Sequence, residues 1–255
     1  SYQGRGLPTM DFRISVFLRE ILKITKLWIS ALMNVHNPTR PASSLDIYWD
    51  LRKRMIAADF GAGDKLKPDE LRDRYGCAAS TIREVLFRLS CDRLVNFQDQ
   101  RGFRMPEVSR QMLHELTDLR ALVEREGARL SIEHGDLEWE ADLTAAHHKL
   151  THVETSISKG AQDYNQVLAA SEWQFHRTLI SACGSETLKD HYRDVHDRQR
   201  LSLVLAAGGT AYRDGNIAEH KAILDAALAR DAKLCDELLD AHLHRGLETL
   251  KLNFA

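Results

Sequence analysis

The sequence predicts a mainly α protein, in which an N-terminal helix-turn-helix with a small β-hairpin precedes a C-terminal all-α helical bundle. Apolar residues recur at three- and four-residue steps from Ser44 onwards, and this spacing is typical of helices that bury one face. Near residue 98 the pattern changes to two short apolar segments on either side of a polar turn, which predicts a hairpin. Helices interrupted by a hairpin therefore make up the expected fold.

The composition indicates a folded, helix-rich protein with room for two domains. The chain has 255 residues, of which 44% are hydrophobic and 28% charged, with only 5 Pro and 14 Gly; disordered and fibrous proteins have other compositions. With a formal net charge of -2, any binding to nucleic acid depends on local clusters of Lys and Arg. The four cysteines form no Cys-x-x-Cys pair, which argues against a zinc ribbon or a disulfide framework and predicts a cytoplasmic protein.

Residues 1–42 are predicted to be an N-terminal extension and linker. Residues 12–35 have apolar residues at helical spacing, but charged side chains interrupt any run long enough to cross a bilayer. We therefore expect an amphipathic helix and neither a membrane span nor a signal peptide. Three interpretations of this helix stay open: a surface helix, a dimer contact, or a sequence that begins too far upstream. Pro38 and Pro41 mark the linker that follows.

Three short helices are predicted next. The first carries apolar residues at helical spacing and ends by Gly61. The second begins at Pro68, a residue suited to the first helical position, and Gly76 stops it. The third covers residues 80–89 and has a polar, basic start and an apolar later face. The second and third helices therefore form a helix-turn-helix.

A β-hairpin follows the third helix. Residues 94–97 and 102–105 are short apolar segments, and the polar residues 98–101 lie between them. This arrangement predicts a strand, a turn and a return strand. A hairpin in this position is the wing of a winged helix.

The stretch from Ile47 to Pro106 resembles the winged-helix module of GntR-type regulators. Its marks agree in order and spacing with that module: GAGDKL at residues 61–66, Glu70-Leu71 with Tyr75-Gly76, TIREVL at residues 81–86, and Leu94-Val95 with Arg101-Gly102. The resemblance implies a winged helix-turn-helix DNA-binding domain over residues 43–107.

The third helix is the predicted recognition helix. A helix that enters the major groove needs short polar or basic residues at its start and apolar residues behind them. Ser80, Thr81 and Arg83 meet the first requirement. The resemblance implies that Arg83 contacts DNA from this helix. It also implies that Arg101 with Gly102 brings the wing tip into the minor groove or against the DNA backbone.

Three further cations, Lys67, Arg72 and Arg74, are candidates for phosphate contacts. The segment departs from the family at Asp69 and Ala79, where arginine is sometimes or often found. Because an arginine that pairs with a guanine contributes about 1–3 kcal/mol of discrimination, these departures allow an operator different from the family's usual one. They also keep open an alternative function, that of an interaction protein with a degenerate winged helix that does not bind DNA.

Residues 108–255 are predicted to form an all-helical domain. Helical periodicity continues from about Ser109, and its breaks divide the segment into about six helices; the breaks lie near Gly135, Gly160, Gly184, Gly208 and Asp231. The segment resembles the all-helical, FCD-type effector-binding domain of the FadR-like branch of the GntR family. The marks of this resemblance are Leu119-Arg120 with Leu122 and Glu124, FHR at residues 175–177, EHKAIL at residues 219–224, and His242-Leu243.

Those marks include a predicted metal site made by Glu172, His176, His220 and His242. Glu172 and His176 are four residues apart, so they project from one face of a helix. His220 and His242 lie on two further predicted helices that antiparallel packing can bring to a similar height. Three imidazoles and one carboxylate suit a divalent ion such as Zn, Ni or Mn. The family usually has Asp in place of Glu172, and its ion commonly helps to hold a carboxylate-bearing effector.

Helical spacing also arises by chance, because the chain contains 12 histidines. His148 and His152, for example, are likewise four residues apart. Five histidines are interpreted as structural: His147, His148, His191, His196 and His244.

Arg120 is a candidate for binding the effector. Its matching position in the family often pairs with a ligand carboxylate, and a guanidinium fork suits that geometry. An ion pair with Glu124, four residues on, is the open alternative. Tyr212 and Arg213 are further candidates for the pocket, although nothing in the local sequence distinguishes them from the start of a helix.

The sequence therefore predicts a transcription regulator rather than an enzyme. We expect a homodimer whose two winged helices bind half-sites of a pseudo-palindromic, double-stranded operator, under the control of a small carboxylate effector. A metalloenzyme is the less favoured alternative, because di-iron sites in helical bundles use more carboxylates and no nucleophile with an adjacent base is evident.

Overall fold

The computed structural model describes residues 43–161, 164–209, 212–213 and 215–249. The amphipathic helix expected over residues 12–35 and the linker that follows it lie outside the described residues. Within the described ranges, no helix combines the length and the apolar character that crossing a membrane requires.

The first module contains three helices and three strands. The helices are α1 (Ser44–Ile56), α2 (Pro68–Tyr75) and α3 (Ala79–Cys91), and the strands are β1 (Lys65–Leu66), β2 (Asn96–Gln98) and β3 (Gly102–Arg104). The strands form one antiparallel sheet in the order β1-β3-β2. The predicted hairpin is confirmed as β2 and β3. The sequence does not predict β1, because two residues are too few to show an alternating pattern and its pairing of Leu66 with Phe103 is a tertiary contact.

Local chemistry explains where these short helices begin and end. The Ser43 hydroxyl accepts a hydrogen bond from the Asp46 amide at 3.2 Å, and the Asp46 carboxylate accepts one from the Ser43 amide at 3.1 Å. This reciprocal cap satisfies backbone donors at the start of α1. Pro68 is the first residue of α2, and Gly76 ends that helix with a φ of +60°, a conformation that costs glycine little.

The second module is a bundle of six helices within the described residues. They are α4 (Arg110–His134), α5 (Leu137–Ser158), α6 (Asn165–Leu179), α7 (Glu186–Ala207), α8 (Asn216–Leu228) and α9 (Ala232–Thr249). Their number and the breaks between them agree with the prediction. Five of these helices, all except α7, contribute to one apolar core, in which Leu143, Phe175, Leu179, Ile223 and Leu239 are fully buried. Packing around this core brings polar side chains from several helices together at one end of the interior.

The two modules meet where α1 packs against α6 and α7. Arg52 of α1 forms an ion pair with Asp197 of α7. Just after α1, the carboxylate of Asp59 accepts a hydrogen bond from the Gln166 amide of α6 at 3.2 Å. The first helix of the helix-turn-helix module therefore contacts the bundle directly.

Candidate metal centre and nucleic-acid interface

Three histidines from three helices meet inside the bundle. His176 lies on α6, His220 on α8 and His242 on α9, and one ring nitrogen from each lies within 4.8 Å of the other two. The ring centroids of His220 and His242 are 4.6 Å apart, and each lies 5.4 Å from that of His176. The helix packing therefore brings together three of the four predicted metal ligands.

A glutamate carboxylate contacts the Nδ1 atom of each histidine. The pairs are Glu124 with His176, Glu154 with His220 at 2.9 Å, and Glu219 with His242 at 2.8 Å. A carboxylate at Nδ1 favours the tautomer that carries its proton there, so the Nε2 lone pair is left for a metal ion. The site thus consists of three oriented imidazoles with their supporting acids.

Burial keeps His176 and His242 in the neutral form that binds metals. It lowers the pKa of His176 to about 4 and places the pKa of His242 well below its usual range. Burial alone would raise the pKa of Glu124, but His176 and Arg120 lie against this carboxylate and hold its pKa below the ordinary value. Glu124 is therefore charged and His176 and His242 are uncharged at neutral pH.

Two buried atoms of the histidines and their supporting acids, Nε2 of His220 and Oε2 of Glu154, lack a hydrogen-bond partner among the described residues. The Nε2 atom of His220 is buried, and no described group bonds to it. Leaving such an atom unsatisfied costs about 1–3 kcal/mol, whereas coordination to a metal ion would use its lone pair. Three imidazoles also form a donor set that suits a borderline divalent ion. The residues present therefore fit a metal ion.

Glu172, the fourth predicted ligand, is not part of this cluster. It lies one turn before His176 on α6, but its carboxylate forms an ion pair with Arg200 of α7. Both partners are largely buried, and both line the same small cavity as His176 and His242. Glu172 therefore lies near the histidines, but its carboxylate is paired with Arg200.

The cavity beside the histidines has a volume of about 50 Å³ and is rich in donors. Its polar lining includes Arg120, Gln199, Arg200, Arg213 and Asn216. Because a water molecule needs roughly 10–15 Å³ by the same measure, the space admits a few waters or a small anionic group. A guanidinium-lined cavity next to the three histidines is suited to a carboxylate.

The effector candidates differ in position. Arg120 lines the cavity and also forms the alternative ion pair, since its Nε donates to Glu124 at 3.0 Å. Arg213 lines the cavity too and donates to Glu219 at 2.8 Å. Tyr212 packs against the apolar core of the bundle and is not among the described residues that line the cavity.

Several residues of the site have little or no signal in the sequence. Glu124 and Glu219 belong to the family marks in the sequence, but those marks do not pair them with histidines: Glu124 contacts His176, and Glu219 lies beside His220 in the chain but contacts His242. Glu154 and Arg200 reach the site only through helix packing, so no local pattern identifies them. Among the histidines taken as structural, His196 lines the cavity as well.

The start of α3 presents the residues predicted to contact DNA. Ser80 and Arg83 are exposed and Thr81 is partly exposed. Behind them, four buried apolar residues fix the helix to its module: Ile82, Val85, Leu86 and Leu89. This division of polar and apolar faces is the one that a groove-binding helix needs.

Arg101 lies in the turn that joins β2 to β3, at the tip of the wing. Gly102 follows it with a φ of +75°, in the left-handed region, so the turn favours glycine at this position. Arg101 is exposed, as expected for a contact to DNA.

The predicted cations differ in whether their charge is already paired. Arg74, Arg83 and Arg101 form no ion pair with another described residue. Lys67 contacts Glu70 at 2.6 Å and Arg72 contacts Asp73 at 3.3 Å, both at exposed positions. Such exposed pairs contribute little stability, so all five side chains are accessible to phosphate.

Comparison with protein families matches both modules. Residues 43–105 match the model described as "Bacterial regulatory proteins, gntR family", and residues 115–245 match the FCD domain. The chain belongs to the GntR family. It is 32% identical over 206 residues to the HTH-type transcriptional regulator BphR of Paraburkholderia xenovorans, a match that covers 79% of this chain and 82% of the relative. It is 31% identical over 210 residues to the HTH-type transcriptional repressor GlaR of Escherichia coli, covering 79% and 92%.

Solved structures of GntR-type proteins have the same fold. Escherichia coli McbR/YncC matches with a TM-score of 0.69 at 21% identity, over 80% of this chain and 95% of that protein. A GntR-type regulator from Rhodococcus sp. RHA1 matches with a TM-score of 0.67 at 21% identity, over 80% and 95%. This GntR-family chain is therefore a DNA-binding transcription regulator with an N-terminal winged helix-turn-helix and a C-terminal FCD domain.

Proposed function

We propose that a small carboxylate metabolite, bound beside a divalent metal ion in the FCD domain, controls the operator binding of this regulator. The observation that carries the proposal is the buried Nε2 of His220, which has no partner and lies within the cluster of three histidines. The supporting carboxylates at Nδ1 are the second feature expected of a metal site.

His176, His220 and His242 would hold the ion through Nε2, and Glu172 is the candidate for a fourth ligand. Zn, Ni and Mn are the candidate ions. When bound, the ion supplies positive charge and open coordination positions for ligand oxygens. Arg120 and Arg213 line the adjacent cavity, where their guanidinium groups can donate to a carboxylate.

The proposal gives the site a sensing role, since the named relatives are transcription regulators. We expect a homodimer in the cytoplasm, with one winged helix on each half-site of a pseudo-palindromic operator. An effector changes operator affinity only as far as it binds one arrangement of the dimer better than another.

The metal content of the purified regulator tests the site. We expect about one ion per chain, lost in both His176→Ala and His220→Ala. His148→Ala and His152→Ala are matched controls, because these histidines are exposed on α5 and outside the cluster, and they should keep the ion. An intact protein that binds no zinc, nickel or manganese would contradict the proposed metal site.

A second measurement tests the effector. Carboxylates that raise the melting temperature of the metal-loaded protein are selected from a panel, and operator affinity is measured with and without each. The operator itself is selected from random duplex DNA. At least one bound carboxylate should change the operator Kd, and the change should vanish in Arg120→Gln. If no carboxylate that binds alters the Kd, the proposed control is wrong.

A further inference from the structure

Arg200 lies between the cavity and the DNA-binding module. It projects from α7, is only 6% exposed and lines the cavity. Its guanidinium forms an ion pair with Glu172 of α6. Its Nε also donates to the backbone carbonyl of Ile56 at 3.4 Å, and Ile56 is the last residue of α1 in the winged-helix module. One side chain therefore contacts both modules.

The Glu172 carboxylate pairs with one positive charge, that of Arg200, and would have a second within reach if a metal ion were bound by the three histidines. In the structure it is paired with Arg200, and one helical turn further along α6 is His176, a member of the three-histidine cluster. A carboxylate that acts as a metal ligand gives up charge and lone pairs that it would otherwise offer to an arginine. Metal ligation by Glu172 and its full ion pair with Arg200 therefore compete.

We propose that Arg200 is a coupling residue, which transmits the state of the cavity to α1 through the Ile56 carbonyl. The Glu172 carboxylate holds the Arg200 guanidinium in the orientation that reaches the Ile56 carbonyl. If this carboxylate coordinated a metal ion, the ion pair would be lost and the guanidinium released. This inference rests on the proposed metal site. By linkage, the same coupling makes DNA binding at the winged helix alter the metal affinity of the bundle.

A nearby contact between the modules provides a matched control. Gln166 of α6 donates to Asp59 just after α1, at 3.2 Å, and neither residue is among those that line the cavity. If the modules were coupled merely by being in contact, this contact would matter as much as Arg200. The proposal assigns no coupling to Gln166.

Amide hydrogen exchange of the full chain, measured with and without one equivalent of zinc, tests the inference. Zinc alone serves as the probe, so no effector is needed. In the unsubstituted chain and in Gln166→Ala, zinc should speed exchange of the amides of residues 57–60 at least about fivefold, because couplings of this kind are typically fivefold or more. In Arg200→Lys a methylene replaces Nε, the atom that donates to Ile56, so the contact with α1 is lost while a positive charge remains near Glu172; in Glu172→Gln the ion pair is absent. Both variants should still bind zinc through the three histidines, Glu172→Gln more weakly because it loses the candidate fourth ligand, and at saturating zinc neither should show the change in exchange.

The outcomes separate the inference from the function on which it rests. Absence of zinc binding to the unsubstituted chain, measured by calorimetry, would overturn both. Zinc binding without faster exchange at residues 57–60, or an equal response in Arg200→Lys, would overturn the coupling role alone. Thermal unfolding establishes that each variant is folded; if Arg200→Lys is not, Glu172→Gln decides the question by the same readout.

Discussion

At the scale of single residues, a glutamate carboxylate at Nδ1 of each histidine leaves Nε2 as the atom that can coordinate an ion. Each glutamate lies on a different helix from the histidine that it contacts. A buried carboxylate without a partner is costly, so these acids are retained only where an N–H group faces them. Their contacts hold each ring at Nδ1 and leave Nε2 available to an ion, so we expect these carboxylates to support metal affinity.

Replacement of Glu154 tests this role at a single residue. Glu154 is fully buried, and its carboxylate contacts Nδ1 of His220 at 2.9 Å. Glu154→Gln keeps an oxygen that can accept from Nδ1 but removes the negative charge, so zinc affinity should fall about 10–100-fold. Calorimetric titration with zinc measures the loss.

Glu138→Gln is the matched control, because Glu138 is an exposed acid on the same helix. It should bind zinc as the unsubstituted chain does. Equal affinities in the two variants would mean that the Glu154 carboxylate does not support the ligand.

At the scale of single elements, α3 and the wing are expected to contact different parts of the DNA. The start of α3 is polar and exposed while its later face is buried, so its side chains can reach base edges. The wing tip carries an arginine on a two-stranded hairpin, where contact with phosphate or the minor groove is expected. The two elements should therefore respond differently to loss of a guanidinium.

Arg83→Ala and Arg101→Ala together test this division of tasks. Loss of Arg83 should cost about 1–3 kcal/mol on the preferred operator and relax discrimination at one base pair. Loss of Arg101 should weaken binding to all sequences alike and reduce the salt dependence of the logarithm of the affinity by about 1. Titrations of the selected operator and a scrambled duplex at several salt concentrations measure both effects.

Arg129→Ala is the control, since Arg129 is an exposed arginine of the bundle that pairs with Glu126. It should leave DNA affinity unchanged. A uniform loss of affinity in Arg83→Ala, with discrimination intact, would assign Arg83 to phosphate rather than to a base.

At the scale of the whole molecule, a metal ion bound inside the bundle would increase the stability of the folded state. The three histidines come from α6, α8 and α9, and their carboxylates from α4, α5 and α8. An ion at their centre would therefore join five of the six helices in the bundle. Because α1 packs on α6 and α7, the same ion would also affect the support of the winged helix.

Metal removal should consequently lower the melting temperature. At free zinc 100-fold above its Kd, binding to the folded state alone stabilises it by about 2.7 kcal/mol, which raises the Tm of a chain of this size by roughly 5–10 °C. Calorimetric scans after chelation and after zinc reloading measure this difference. The double variant of His176→Ala and His220→Ala should melt at one temperature under both conditions, and a zinc-dependent Tm in that variant would place the ion elsewhere.

The sequence by itself determines the two modules and much of their chemistry. Caps, stops and apolar periodicity are local properties of the chain, so α2, the hairpin and the six helices of the bundle follow from neighbouring residues. The residues at the start of α3 and at the wing tip are likewise predictable, because a DNA contact requires polar side chains at defined places in short elements. The three histidines follow from the family marks at residues 175–177, 219–224 and 242–243.

Only the tertiary structure decides which groups support those histidines and where the charge of Glu172 is directed. Glu154 and His220 are far apart in sequence, as are Arg200 and Ile56, and nothing local to either residue encodes the contact. The strand β1 and the pairing of Glu172 with Arg200 depend in the same way on long-range packing. Periodicity in a sequence specifies which face of a helix is buried, whereas the packing of several helices specifies which polar groups meet inside.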